Sequence, residues 1–246
     1  MKILVVGASG ATGRLLVEQL INRGLSVKII VRSLDKLPEI LKSHNRLTII
    51  QADILNLSDT DIAQHVNGCD AVASCLGHNI SWKGIWGQPY RLVADAIRRL
   101  CNAIKANKQK EIVKFVLMNT TANNNRDLHE PQSFGEKFIF GLIRLLLPPQ
   151  VDNEKAAEYL RINIGQNDEL IEWSIVRPDT LINEDKVTDY IVYPSPIRSP
   201  IFNAGSTSRI NVGHFMADLI TSAVIWNRWK CKMPVIYNKA SIQEDK

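Results

Sequence analysis

The chain has 246 residues, 45% hydrophobic and 22% charged, proportions that suit one α/β domain able to bury a sizeable core. Thirty basic against 25 acidic residues give a formal charge of +5, which favours an anionic ligand. The basic residues are scattered, however, and their densest run (Arg98, Arg99, Lys105, Lys108, Lys110, Lys114) follows a helix and its exit as solvated charge does, so a nucleic-acid partner is not expected.

The four cysteines, Cys69, Cys75, Cys101 and Cys231, form no CxxC pair and have no histidine at metal-ligand spacing; neither a zinc site nor a disulfide framework is indicated, and a reducing cytoplasm fits best. Too few apolar residues precede the first glycines for a signal-peptide core. The most apolar later stretch, "FIFGLIRLLLPP", carries Arg144 and falls short of the roughly 20 residues that cross a bilayer. It reads as an exposed amphipathic helix over 134–147, with no membrane insertion, in a monomer or homodimer.

In chain order, strand-length apolar runs alternate with helical patterns. Strands are expected near 2–6, 27–31, 47–51, 71–75, 113–118 and 172–176, and helices near 12–23, 58–65, 89–106 and 152–163. That alternation predicts βαβ units: a Rossmann-type, doubly wound parallel sheet. Gly24 is expected to cap the first helix at its C-terminus. Ser58 is the expected N-cap of the second, with Asp59 and Asp61 in its first turn. Residues 180–246 add a strand "YIVYP", a second "SRINV", a helix over 212–226 and a last strand "MPVIYN", taken as a small C-terminal lobe that completes a substrate cleft. The whole reads as a single domain, with 1–121 as the dinucleotide-binding core and 122–150 and 180–246 on the substrate side. Two insertions, Gly77–Tyr90 and 122–150, follow strands where ligands of open parallel sheets bind.

The segment "GASGATGR" leaves the first strand and enters the first helix. There Gly7 permits the tight bend, Gly10 lets backbone approach a pyrophosphate, and Gly13 lets helix and strand pack closely. The diphosphate would rest on helix-opening amides, with Ser9 and Thr12 as added hydroxyl donors. Arg32-Ser33 ends the second strand where an NAD site usually places a carboxylate, and none appears before Asp35. A guanidinium there suits the extra phosphate of NADP(H).

With these motifs the chain resembles the atypical short-chain dehydrogenase/reductases with an NAD(P)H-binding domain, the group of NmrA-like proteins, flavin/biliverdin reductase and isoflavone-reductase-like enzymes. "GASGATG", "VRS", "QADILN", "SCLG", "MNTTA" and "IVRPDTL" follow in the family's order, and the likeness covers nearly the whole chain. It implies cofactor contacts from Gly7, Ser9, Gly10, Ala11, Thr12, Gly13, Arg32, Ser33, Asp53, Ile54, Cys75, Leu76, Gly77, Asn119, Lys155 and Pro178. Asp53 would lie beside the adenine. It is specific for fold and cofactor and poor for substrate.

By the same likeness Thr120 takes the place of a hydroxyl near the substrate and Lys155 that of the lysine on the nicotinamide ribose. The family's proton-donating tyrosine is missing, because position 151 is valine. Three accounts stand open: Lys155 as general acid, if burial depresses it; a proton from solvent, the protein only holding nicotinamide against a flavin or quinone; or binding without turnover. Tyr159 lies one helical turn beyond Lys155 and reads as packed against the sheet. His78 is a candidate to orient substrate or shuttle a proton, and Trp82 and Trp86 to wall an aromatic pocket. Arg177 reads as structural, while Asp179 opens the loop facing cofactor and substrate. The expected function is an NADPH-dependent oxidoreductase acting on a small aromatic or conjugated acceptor; the alternative is an NADP(H)-binding sensor or scaffold.

Overall fold

The computed structural model describes residues 1–78 and 87–240. Its strands are β1 (Lys2–Val6), β2 (Ser26–Val31), β3 (Leu47–Gln51), β4 (Ala71–Ser74), β5 (Val113–Met118), β6 (Ile171–Pro178), β7 (Thr180–Ile182), β8 (Tyr190–Tyr193), β9 (Ser206–Ser208) and β10 (Val235–Asn238). The helices are α1 (Ala11–Asn22), α2 (Glu39–Lys42), α3 (Asp59–Val66), α4 (Leu92–Asn107), α5 (Phe134–Leu146), α6 (Pro148–Glu158), α7 (Arg209–Thr221) and α8 (Ala223–Trp229). Eight strands form one sheet in the order β3-β2-β1-β4-β5-β6-β10-β8. All its neighbours are parallel except β10 and β8; β7 and β9 make a separate parallel pair.

The expected doubly wound sheet is present, and its strands are nearly all-apolar because both faces are covered. Successive side chains of β1 go to opposite layers. Leu4 and Val6 join Val72, Phe115 and Ile175 under α3, α4 and α6. Ile3 and Val5 join Ile29, Ala73 and Val116 under α1 and α7. The α1–α7 approach is close enough that a Cβ on Gly213 would stand 3.0 Å from the Leu16 amide.

Local end signals behave as the sequence suggests. Ser58 Oγ accepts from the Asp61 amide at 3.1 Å while Asp61 Oδ2 accepts from the Ser58 amide at 3.2 Å, a reciprocal cap of α3. Gly24, at φ +80°, ends α1, with the Leu25 amide reaching back to the Leu20 carbonyl at 3.2 Å.

The final third departs from expectation. "SRINV" is not a strand: Ser208 closes β9 and its hydroxyl accepts from the Asn211 amide, so Arg209 starts α7. Val212, Phe215, Met216, Leu219 and Ile220 then repeat at helical spacing on the core side. The helix expected over 212–226 is two helices, broken where Ser222 caps α8 by accepting from the Ile225 amide. The helix expected over 152–163 begins earlier, at Pro148, and widens into one π-helical turn over Tyr159–Ile164. β10 and β8 lengthen the main sheet.

Order in the sheet reverses between β1, which continues to β2 and β3, and β4, which continues to β5. The carboxyl ends of these two strands therefore diverge into a crevice, the usual ligand position in such sheets.

Candidate dinucleotide site

The crevice is closed at its base by the glycine turn. Gly7 sits at φ +76°. A Cβ there would stand 2.4 Å from the Cys75 carbonyl carbon and 2.6 Å from the Leu76 nitrogen, so the backbones leaving β1 and β4 touch. A Cβ on Gly13 would stand 2.2 Å from the Gly7 oxygen, which presses the opening of α1 onto the turn. The Gly10 amide donates to the Gly7 carbonyl at 3.0 Å. As N-cap of α1, Gly10 offers no side chain to the first-turn amides, and no carboxylate lies in that turn. The positive end of the helix is left open to an anion.

Above this turn lies a cleft of about 510 Å³, lined by Gly7, Ser9, Gly10, Arg32, Ser33, Asp53, Ile54, Cys75, Leu76 and Gly77 among others. An outer groove shares Ser9, Gly10, Asp35 and Lys36 and adds Ala11 and Arg14. Most of the cofactor positions inferred from the sequence thus meet in one place. Thr12 does not line the cleft; it is buried in the first turn. Asn119, Lys155 and Pro178 also lie outside the lining. The Asn119 amide group instead ties β5 to α6, donating to the Asn153 carbonyl at 2.9 Å. The Pro178 carbonyl accepts from the Thr121 amide at 3.1 Å.

Arg32 is exposed at the rim. The Asp35 carboxylate, three residues on, accepts from the Ser33 hydroxyl at 2.7 Å. Lys36 lines both cleft and groove, a second cation that the motif reading passed over although it stands four residues beyond Arg32. Cys75 lines the cleft beside Gly7. Its Sγ packs 3.9 Å from Met216 Sδ, and burial pushes the thiol up to about 12.

On the far side of β4 the structure joins residues that the sequence kept apart. His78 Nε2 lies 2.7 Å from Asp152 Oδ2, the side chains being 7% and 0% exposed. Asp152 also accepts from the amides of Val93 at 2.8 Å and Ala94 at 3.0 Å. A carboxylate from α6 therefore caps α4 and holds the histidine. Sequence reasoning missed Asp152, since the helix it caps begins some sixty residues earlier.

Lys155 is exposed on α6, so the burial required by the general-acid account is not there. The Thr120 hydroxyl accepts from the Ala122 amide at 3.2 Å. Tyr159 donates to Asn102 on α4 at 3.3 Å and belongs to the packing. Asp179 is no free substrate ligand either. Its carboxylate accepts from the amides of Thr180 and Gly205, both at 2.9 Å, and from the Thr121 hydroxyl at 3.4 Å, while burial still holds its carboxyl above the usual range. Arg177 is structural as expected, fully buried against Glu130. Trp82 and Trp86 lie outside the described residues.

A second cavity, of about 290 Å³, opens beyond the carboxyl end of β5, between Thr121, Pro131, Ser133, Phe140, Ile197 and Pro200 among others. Neither Thr120 nor Lys155 lines it.

A family model described as NAD(P)H-binding matches residues 7–223. This chain belongs to the NAD(P)H-binding family. That span begins on Gly7, directly after β1, and takes in the ends of β2 and β4 that border the cleft. A chloroplastic protein of Arabidopsis thaliana, At2g34460, is 27% identical over 201 residues, which is 78% of this chain and 64% of that protein; the chain thus spans under two thirds of that relative. Among solved structures, the oxidoreductase ylbE from Lactococcus lactis superposes with a TM-score of 0.68 at 18% identity, over 99% of this chain and 94% of that one. A short-chain dehydrogenase/reductase from Veillonella parvula DSM 2008, solved in complex with NADP, gives 0.68 at 18% identity over 98% and 95%. At such identities the likeness is one of fold. No helix among the described residues is long and apolar enough to cross a membrane.

Proposed function

We propose that the protein is an NADPH-dependent oxidoreductase that reduces a small aromatic or conjugated acceptor of flavin, quinone or enone type. The observation that carries this is the glycine turn: the Cβ positions of Gly7 and Gly13 are filled by backbone, and the turn opens onto a cleft rimmed by Arg32 and Lys36. Such a cradle fits a dinucleotide diphosphate on the α1 amides, and the two cations fit a ribose phosphate through charge-assisted hydrogen bonds. The Veillonella structure holding NADP supports the same choice.

When bound, NADPH supplies the hydride. This chain's residues do the rest. Ile54 and Asp53 border the adenine end, and Leu76 and Gly77 carry the wall toward the nicotinamide. The family likeness alone assigns Lys155 to the nicotinamide ribose and Thr120 to the edge of the acceptor, since neither side chain lines the cleft or the second cavity. The second cavity is assigned to the part of the acceptor that lies away from the nicotinamide, since residues from 121–140 and 196–200 enclose it at the same carboxyl edge of the sheet; the segments 122–150 and 180–246 would then form the substrate side. Its volume suits a single or fused ring more than a bulky polymer.

One observation favours the sensor or scaffold reading: α5 exposes Phe134 at 91%, Phe138 at 69% and Leu145 at 76%, an apolar stripe a partner protein would cover. The two readings separate when purified protein and NADPH are mixed with a panel of flavins, quinones and enones and the nicotinamide absorbance is followed. Acceptor-dependent loss of absorbance is expected. Tight NADPH binding with no turnover on the whole panel would replace the reductase reading by the sensor one.

A further inference from the structure

Reduction of a neutral acceptor needs a proton as well as a hydride, and Val151 stands where the resembling family has its donor. The structure holds a buried histidine–carboxylate pair at the end of the cleft wall. His78 directly follows Gly77, which lines the cleft wall. The Asp152 carboxylate that binds its Nε2 is itself fixed by two amides at the start of α4. An ionised carboxylate only accepts hydrogen bonds, so this contact requires the proton on Nε2 and leaves Nδ1 as the nitrogen that gains and loses one. A base or acid oriented by a third, buried group is the arrangement that proton-transfer sites use.

We propose that His78 delivers the proton that accompanies hydride transfer, with Asp152 as its positioning residue. The assignment rests on the reductase reading. In the step, the acceptor gains a hydride and thus two electrons, leaving the dinucleotide oxidised as NADP⁺. The Nδ1–H bond of the His78 imidazolium breaks and its proton joins the reduced acceptor. The neutral imidazole, still donating from Nε2 to Asp152, then takes a proton from water. A role confined to capping α4 would need only a donor at the Nε2 position, and glutamine supplies one.

The test uses His78→Gln and Asp152→Asn with NADPH and the acceptor that the wild type reduces fastest. His78→Gln is expected to lower kcat by roughly 100-fold or more, the usual range for loss of a general acid, with NADPH affinity kept within about twofold. Asp152→Asn should lower kcat less, because the histidine remains. An activity-independent readout is the ¹⁵N spectrum of histidine-labelled protein. Neutral His78 should hold its proton on Nε2 in the wild type, its ring signals should move when NADP⁺ is added, and Asp152→Asn should mix the two tautomers. Unchanged kcat in His78→Gln, or a wild-type Nδ1–H tautomer, would overturn the proton role alone. A wild type that reduces nothing on the panel would overturn the reductase reading and take this role with it.

Discussion

Replacing Glu130 by glutamine isolates the physics of the wall of the second cavity. Arg177 on β6 is fully buried and Glu130 nearly so. The guanidinium meets the carboxylate at 2.8 and 2.6 Å, donates to the carbonyls of Met233 at 2.8 Å and Asn123 at 2.9 Å, and Glu130 accepts also from the Asn125 amide at 2.7 Å. Glutamine keeps one acceptor but turns an NH₂ toward the guanidinium, so a buried cation loses its counter-charge. Breaking such a pair from one side costs about 3–5 kcal/mol, a large part of the 5–15 kcal/mol typical of a domain. For a chain of this length that is a fall in melting temperature of roughly 6–20 °C. Urea unfolding of Glu130→Gln, Arg177→Met and the double variant measures it. Each single change should cost several kcal/mol, and the double should cost less than their sum by about 2–3 kcal/mol, since removing both charges leaves neither unpaired. A Glu130→Gln cost below about 1 kcal/mol, or additive changes, would refute the argument that this pair holds residues 123–130 onto β6.

Gly7→Ala forces a left-handed residue against the Cys75 backbone, so NADPH affinity, followed by quenching of protein fluorescence, should fall at least about tenfold, or 1.4 kcal/mol; retained affinity would separate the cradle from the nucleotide. Arg32→Ala should weaken NADPH by roughly 10- to 100-fold, the equivalent of charged hydrogen bonds worth about 1.5–3 kcal/mol, while leaving NADH nearly unchanged; titrations of both cofactors decide it, and equal losses would refute the arginine assignment. Glu136 caps α5, and hydrogen bonds from the Ser199 hydroxyl and the Ser133 amide hold its carboxyl below the usual range. The folded state therefore favours the charged form: the contribution is present above the unfolded value of about 4.3 and is lost as pH falls through the lower folded value. Amide exchange in the first turn of α5 should accelerate over that acid window, and Glu136→Gln should remove the pH dependence.

What the sequence made legible was whatever depends on neighbours in the chain. The strand "KILVV" announces burial on both faces by its composition, and the cap at Ser58 needs only Asp61, three residues on. The turn at Gly7 is readable for the same reason: strand, bend and helix are consecutive. "SRINV" misled because Ile210 and Val212 suit a strand by propensity, while the Ser208 cap and the packing of α7 on α1 decide for a helix. Asp152 was invisible on any local criterion. In sequence it is one polar residue in a short, mixed helix, and only the fold brings α4 and His78 to it. The second cavity was hidden likewise, its walls coming from segments some sixty residues apart.

This division has a functional consequence. The dinucleotide end is held by backbone geometry, where Gly7 and Gly13 admit no side chain, so few sequences can form it and most of those that do will bind a similar ligand. The surroundings of the second cavity, proposed above for the acceptor, are held by charges and hydrogen bonds across long chain separations: Glu130 to Arg177, Asp179 to the Gly205 amide, Glu136 to the Ser199 hydroxyl at 2.5 Å. Each tie fixes a loop without filling the cavity, so the apolar lining at Pro131, Phe140 and Ile197 can change while the ties remain. Acceptor choice should therefore follow substitutions at those lining positions, and cofactor choice those at Arg32 and Lys36, with little coupling between them because sites with no shared partners act nearly additively. A Phe140 variant that altered the NADPH-to-NADH ratio as strongly as it altered acceptor preference would show the two ends to be one cooperative unit, and would place the specificity of the fold somewhere other than its loops.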